Sequence, residues 1–280
     1  MKKRIFSIVL AGLLVITLAA GLTACGSDDG GEDQQEKQVV KLGIMGASDE
    51  EIWDPIKAEF AEKGVDIEYV FFTDYTQPNA ALANGEIDLN AFQHHAYLNG
   101  EIEKYGYDIT AIGDTLLTSL NLYSDKIKSV DEIKKGDQIA VPNDAVNLAR
   151  ALNVLQAAGL IQLKDGAGSA AETKDIVSNP LNLDLVQVDA SQTASLLPDV
   201  AAAVVNGAYA LDAGLSPKDD SIFTDDPSYY TDNTYINVIA ARTEDQDNAL
   251  YQEIVKAYQS EGTAKIFAEN FQGLYIPAWK

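Results

Sequence analysis

From residue 38 onward the chain alternates between short apolar runs and longer stretches whose apolar positions recur at helical spacing. The short runs read as buried strands and the longer ones as helices packed on them. Val39–Met45 is such a strand and Glu50–Lys63 such a helix, with Gly64 placed to end it in a left-handed conformation. A strand over Asp66–Phe72 follows, then a short helix over Pro78–Asn84 ended by Gly85, then a strand over Ile87–Phe92. Further on, Ile139–Val141 leads into a helix over Val146–Ala158, closed by Gly159. Leu183–Val188 and Ala201–Val205 read as strands of a second sheet, and Asp245–Ser260 as an amphipathic helix. This alternation predicts an α/β protein of mixed, mostly parallel sheets covered by helices on both faces. Its length suffices for two modest lobes, each with its own core.

The first residues follow a different plan. Lys2, Lys3 and Arg4 precede an uncharged, mostly apolar run from Ile5 to Ala24, the layout of a secretory signal. The run is also long enough for a transmembrane helix. Its ending, Leu22-Thr-Ala-Cys25, favours the signal, because small residues before a cysteine mark exported bacterial lipoproteins. Cys25 is the one cysteine in the sequence and so has no disulfide partner within the chain. A signal over residues 1–24 and lipidation of Cys25 are therefore expected. The two chains of a diacylglyceryl group anchor stably where one would be marginal. Residues 26–38 carry no apolar side chain and are expected to form a disordered tether with a reach of roughly 20 Å. Their acidic residues lack the alternating spacing of an EF-hand calcium loop.

Charge narrows the partners. The formal charge is −23, and loss of Lys2, Lys3 and Arg4 with the leader takes it to −26 over the remaining 256 residues. Such acidity argues against nucleic acid and against electrostatic adhesion to anionic lipid. It suits a soluble body held beside a membrane by lipid alone.

In open α/β sheets, ligands settle beyond the carboxyl ends of the strands. Asp74, Tyr75, Asn143 and Asn206 all follow predicted strands there. Past residue 24 the only arginines are Arg150 and Arg242. Asn143, Asn147 and Arg150 fall at i, i+4 and i+7, on one helical face. A guanidinium flanked by amides suits a carboxylate, which it grips through two parallel hydrogen bonds. Arg242, running into Thr-Glu-Asp, reads as a solvated surface charge. Asn206 and Asn237 can offer oxygens to an ammonium or N–H groups to a carboxylate. Tyr75, Phe92, His94 and Tyr97 offer walls to an unbranched apolar side chain, and a sulfur gains about 0.3–1.5 kcal/mol against a ring. Tyr209 reads as packing.

The segment Phe72-Thr-Asp-Tyr-Thr-Gln-Pro-Asn-Ala-Ala-Leu82 runs on to Phe92-Gln-His-His-Ala-Tyr97-Leu. With Pro142-Asn-Asp-Ala-Val-Asn147-Leu-Ala-Arg150-Ala-Leu, Val205-Asn-Gly-Ala-Tyr209-Ala-Leu and Tyr235-Ile-Asn237, it resembles the methionine-binding lipoproteins that feed ABC importers, the MetQ or NlpA family. The resemblance covers roughly residues 40 to 280. It implies a two-lobed periplasmic-binding-protein fold (type II) with the ligand cleft between the lobes. Residues 39–122 would form the first lobe, 123–235 the second, and 236–280 would return to the first. In that family the residues matching Asn147, Arg150, Asn206 and Asn237 hold the zwitterionic end of the ligand, leaving Tyr75, Phe92, His94 and Tyr97 for its side chain. The implied ligand is L-methionine, with the D-isomer, the sulfoxide, a methionine-containing dipeptide or another amino acid as alternatives. The implied partners are an ABC permease and ATPase. The implied form is an outward-facing, lipid-anchored monomer without cofactor. The chain departs from the commoner family pattern at Gly46-Ala-Ser-Asp-Glu-Glu-Ile-Trp-Asp54, where relatives often read Gly-Pro-His-Ala-Glu, and at Leu120-Asn121. Trp53 and Asp54 are therefore candidates for the cleft border.

Other classes find less support. His94 and His95 are the only histidines, and adjacent residues project differently, so one ion does not take both; no HExxH pattern occurs. A metal-ion-binding lipoprotein is the alternative within transport, with His94 as a cleft wall and His95 as an exposed neighbour the preferred assignment. There is no G-x-S-x-G elbow and no phosphate-cradling glycine loop, so no enzymatic activity is expected.

Overall fold

The computed structural model describes residues 38–226, 233–271 and 273–279. The expected leader, Cys25 and the tether up to residue 37 lie outside the described residues. Gln38, expected in the tether, instead opens the first strand, its N–H donating to the Gly64 carbonyl at 3.2 Å.

In chain order the elements are β1 (Gln38–Ile44), α1 (Ala47–Glu62), β2 (Val65–Phe71), α2 (Pro78–Ala83), β3 (Leu89–His94), α3 (His95–Tyr105), β4 (Ile109–Thr118) and β5 (Asn121–Tyr123). Then come β6 (Gln138–Pro142), α4 (Ala145–Ala157), β7 (Gln162–Leu163), β8 (Ile176–Ser178), β9 (Asp184–Val188), β10 (Ala202–Val205), α5 (Gly207–Asp212) and β11 (Ser221–Phe223). The chain closes with β12 (Ile236–Arg242), α6 (Ala249–Tyr258), α7 (Glu261–Asn270) and β13 (Tyr275–Pro277).

Two sheets organise these elements. One has the order β13-β4-β12-β3-β1-β2, the other β11-β5-β10-β6-β9, and β7 pairs with β8 apart from both. Parallel pairing occupies one half of each large sheet, β2-β1-β3 and β9-β6-β10. Those are the halves made by strand–helix alternation, and strands covered on both faces are apolar throughout, as in the fully buried β10. The other halves are antiparallel, because β12 slots between β3 and β4, and β5 lies against β10, so the sheets are mixed as expected but not mostly parallel. The first sheet buries Leu42 and Ile44 against Ile52, Trp53, Ile56 and Phe60 of α1 and Phe267 of α7. The second packs Ile139 and Val141 on Leu148, Leu152 and Leu155 of α4. A third cluster joins Met45, Phe72 and Val238, in or beside the first sheet, to Tyr123, Ala140, Val205 and Tyr209 from the elements of the second.

Three expectations are corrected. The helix expected over Asp245–Ser260 begins only at Ala249, because the Asn248 side chain accepts the Leu250 N–H and caps it there, after a short turn over Thr243–Asp245. His95 is not exposed: it is half-buried, with Nε2 2.7 Å from Asp114 Oδ1. Arg242 is not a solvated charge. Its guanidinium donates to the carbonyls of Leu82 (3.3 Å) and Ile87 (2.8 Å) and pairs with Asp88 and Asp245. It staples the end of β12 to the turn after α2. Arg242→Ala is expected to lower the unfolding free energy by about 1–3 kcal/mol in urea titration; a variant as stable as the parent would remove the staple.

Candidate functional site

The loop after β2 and the end of β3 build one wall of a cavity. Phe92 and His94, two residues apart on β3, share a face, and Tyr75 comes from the loop between β2 and α2. That loop is held from beneath by a buried amide knot. Asn79 donates to Gln93 Oε1 at 2.7 Å and accepts from Gln93 Nε2 at 2.6 Å and Asn90 Nδ2 at 3.0 Å. With all three side chains buried, the knot fixes α2 on β3. The Tyr75 ring lies 5.7 Å from Phe92 and 5.9 Å from Tyr97, and the Tyr97 hydroxyl donates to the Tyr75 carbonyl at 3.1 Å. The Tyr209 ring is tilted against that of Tyr75 at 4.7 Å and does not line the cavity.

His94 is fixed in one protonation state. Its Nδ1 accepts the Tyr97 N–H at 3.1 Å, capping α3, so the ring proton sits on Nε2. Burial, with the Arg150 charge adding to it, pushes its pKa down to about 3. The imidazole is therefore a neutral N–H donor at physiological pH, in spite of the favourable contact with Asn147.

The opposite wall begins at α4. Asp144 is its N-cap, accepting the Asn147 backbone N–H at 2.8 Å and the Asn147 amide NH2 at 3.1 and 3.0 Å. Burial raises the Asp144 carboxyl above its ordinary value, against the lowering effect of those donations. Asn143 therefore precedes the helix and is exposed, so the expected face holds Asn147 and Arg150 but not Asn143. Asn147 Oδ1 accepts from Asn206 Nδ2 at 2.9 Å. Arg150 is 2 % exposed. Its Nη2 donates to the Thr118 carbonyl at 2.6 Å and faces Asp225 Oδ2 at 3.4 Å, and the guanidinium carbon lies 4.6 Å over the Tyr235 ring. Asn237 stands opposite His94 in the β12–β3 pairing.

All eight residues expected at a site, Tyr75, Phe92, His94, Tyr97, Asn147, Arg150, Asn206 and Asn237, line this one cavity. Its empty volume is about 740 Å³, open solvent at the mouth included. Trp53 also lines it, whereas Asp54 points outward and accepts from the Tyr69 hydroxyl at 3.0 Å. At Gly207 a side chain would come within 2.5 Å of Thr118 Oγ1, so the glycine permits the close approach of α5 to the end of β4. Sequence reasoning missed Asp144, Thr118 and Asp225, and treated Tyr235 only as part of a motif. An N-cap signal, Asp three residues before Asn147, was available for the first. The others act over long separations that leave no local signal.

The polar atoms carry the chemistry. Among the described residues, five buried side-chain atoms lack a hydrogen-bond partner, and four of them belong to residues lining this cavity: His94 Nε2, Thr118 Oγ1, Asn206 Oδ1 and Asn237 Nδ2. Buried polar groups are nearly always satisfied in native folds, so this concentration makes the cavity the candidate site for a polar ligand. Asn206 leaves an acceptor and Asn237 a donor. The described residues contain no group of three His, Cys, Asp or Glu able to hold a metal ion. No described helix is long and apolar enough to cross a membrane.

A model of the NlpA lipoproteins matches residues 40–279. The chain belongs to the NlpA lipoprotein family. It is 40 % identical over 271 residues to the D-methionine-binding lipoprotein MetQ of Salmonella typhimurium, covering 96 % of each chain. A nutrient-binding protein from Burkholderia cenocepacia bound to methionine is 38 % identical, with a TM-score of 0.81 over 86 % of this chain and 100 % of that one. A periplasmic substrate-binding protein of an ABC transporter from Coxiella burnetii is also 38 % identical, with a TM-score of 0.79 over 85 % and 100 %. The fold is thus the expected two-lobed binding-protein architecture, α/β with mixed sheets.

The low His94 pKa has a consequence for stability. Below its ordinary value of 6.5 the unfolded chain takes up a proton that the folded imidazole refuses until about pH 3, so this group costs stability as the pH falls. Between pH 7 and pH 5 the wild type is expected to lose about 2 kcal/mol through it. His94→Gln should be spared that loss in denaturant titrations, and equal losses would mean that the imidazole is solvated.

Proposed function

We propose that this chain is the substrate-binding protein of an ABC importer, that it captures methionine in the cavity and that it delivers it to a permease driven by an ATPase. The observation that carries the reading is the set of unspent polar atoms beside a buried guanidinium. A zwitterionic amino acid matches that set. Its carboxylate suits Arg150, the Asn237 N–H and the neutral His94 Nε2–H, and its ammonium suits Asn206 Oδ1. An unbranched thioether side chain fits against Tyr75, Phe92 and Tyr97, where sulfur gains contact energy from the rings. The names of the similar proteins support methionine, in its L- or D-form, over other amino acids. A methionine-containing dipeptide needs the same end groups and is the second ligand to try.

The work is a binding cycle: an open cleft, capture, closure by hinge motion, docking and release. No covalent chemistry is asked of the chain, and ATP hydrolysis belongs to the partner. Lipidation at Cys25 would hold a monomer on the outward face of the membrane, with its acidic body free of anionic lipid.

Isothermal titration of ligand-stripped protein with L-methionine tests this reading. A dissociation constant in the micromolar range or tighter is expected, and no heat with either enantiomer or with dipeptides would overturn it. Arg150→Ala is expected to weaken binding about 100-fold or more, since it leaves a desolvated carboxylate unpaired. Near-native affinity in that variant would move the carboxylate elsewhere. Tyr75→Ala and Phe92→Ala should weaken methionine about tenfold and alanine much less; equal losses would dismiss the aromatic clamp.

A further inference from the structure

The amide chain from Asp144 to Asn206 has a direction. A carboxylate accepts hydrogen bonds and cannot donate them. Asp144 therefore has to face the NH2 end of the Asn147 amide, which it does at 3.1 and 3.0 Å. Asn147 then has only its Oδ1 to present to Asn206, and Asn206 answers with its own NH2 at 2.9 Å. Asn206 Oδ1 is what remains, buried and without a partner. Each orientation follows from the one before it, and the first is dictated by the one member of the series that can only accept. Asp144 itself does not line the cavity, whereas Asn147 and Asn206 do.

We propose that Asp144 is a positioning residue which sets the polarity of Asn206 through Asn147, and thereby makes the cleft selective for ligands that carry an ammonium group. The inference rests on the amino-acid reading of the cleft given above. An amide at position 144 has both a donor and an acceptor, so the chain can run in either sense. In the reversed sense Asn206 presents N–H groups to the cavity, and an ammonium meets donors where it needs an acceptor. Asparagine caps helices as well as aspartate does, so Asp144→Asn keeps α4 in place while releasing the direction of the chain.

The test compares L-methionine with its deaminated analogue, 4-(methylthio)butanoate, by calorimetry on the full-length protein in detergent, stripped of carried-over ligand by unfolding and refolding. Wild-type protein is expected to prefer methionine. In Asp144→Asn the methionine affinity should fall on the order of 10- to 100-fold, with the analogue changed by about threefold or less, so that the preference collapses. Asn147→Ala retains the Asp144 charge but cuts the chain, and it should collapse the preference as well. Equal losses for both ligands would mean that Asp144 merely supports the helix. A collapse in Asp144→Asn without one in Asn147→Ala would mean that the carboxylate acts through space by its charge. Unchanged preference in both variants would likewise overturn the proposal. Failure of the amino-acid reading is separable, because it appears in the wild type alone as absence of methionine binding.

Discussion

Arg150 carries a full positive charge with almost no contact with water, and the elements around the cleft are arranged so that this charge never stands alone. A buried ion without a counter-charge costs several kcal/mol, and removing one partner of a buried pair costs about 3–5 kcal/mol. The compensation comes from distant parts of the chain. Thr118 closes β4, Asp225 follows β11, and Tyr235 precedes β12. Asp225 is held in turn, its N–H donating to Asn121 Oδ1 at 3.0 Å. Solvating one guanidinium by protein has thus drawn both sheets and the segments between them into one arrangement.

The parallel half of each sheet was legible because each buried strand is followed by a helix with its own glycine stop, such as Gly64 or Gly159, both of positive φ. The antiparallel halves were harder to see. β4 has only three fully buried positions, at its start and near its end, with half-exposed residues between, so no two-residue period stands out. β12 is apolar enough to be noticed, but its place between β3 and β4 is set by packing against elements well over a hundred residues earlier. The start of α6 was misplaced because Asp245 and Asn248 are both plausible caps; only the folded chain shows which accepts an N–H.

The candidate site was readable to a different depth. Its aromatic and amide members stand near strand ends and helix starts, where α/β topology gathers functional side chains, and the motif resemblance picked out the same positions. The roles within the group were not readable. Asn206 and Asn237 are chemically identical in a sequence, and only their neighbours make one an acceptor and the other a donor. Asn143 and Asp144 are adjacent and both polar. The helix register decides that Asp144 turns inward to cap α4 and Asn143 faces solvent.

The Arg150–Asp225 pair also bears on which molecules the cleft tolerates. Because the guanidinium is already matched by a carboxylate, a guest that is neutral overall leaves that pair in balance. The chain as a whole, at a formal −23, has an acidic exterior that draws cations towards it. What the surface attracts and what the interior admits are therefore governed by separate sets of charges.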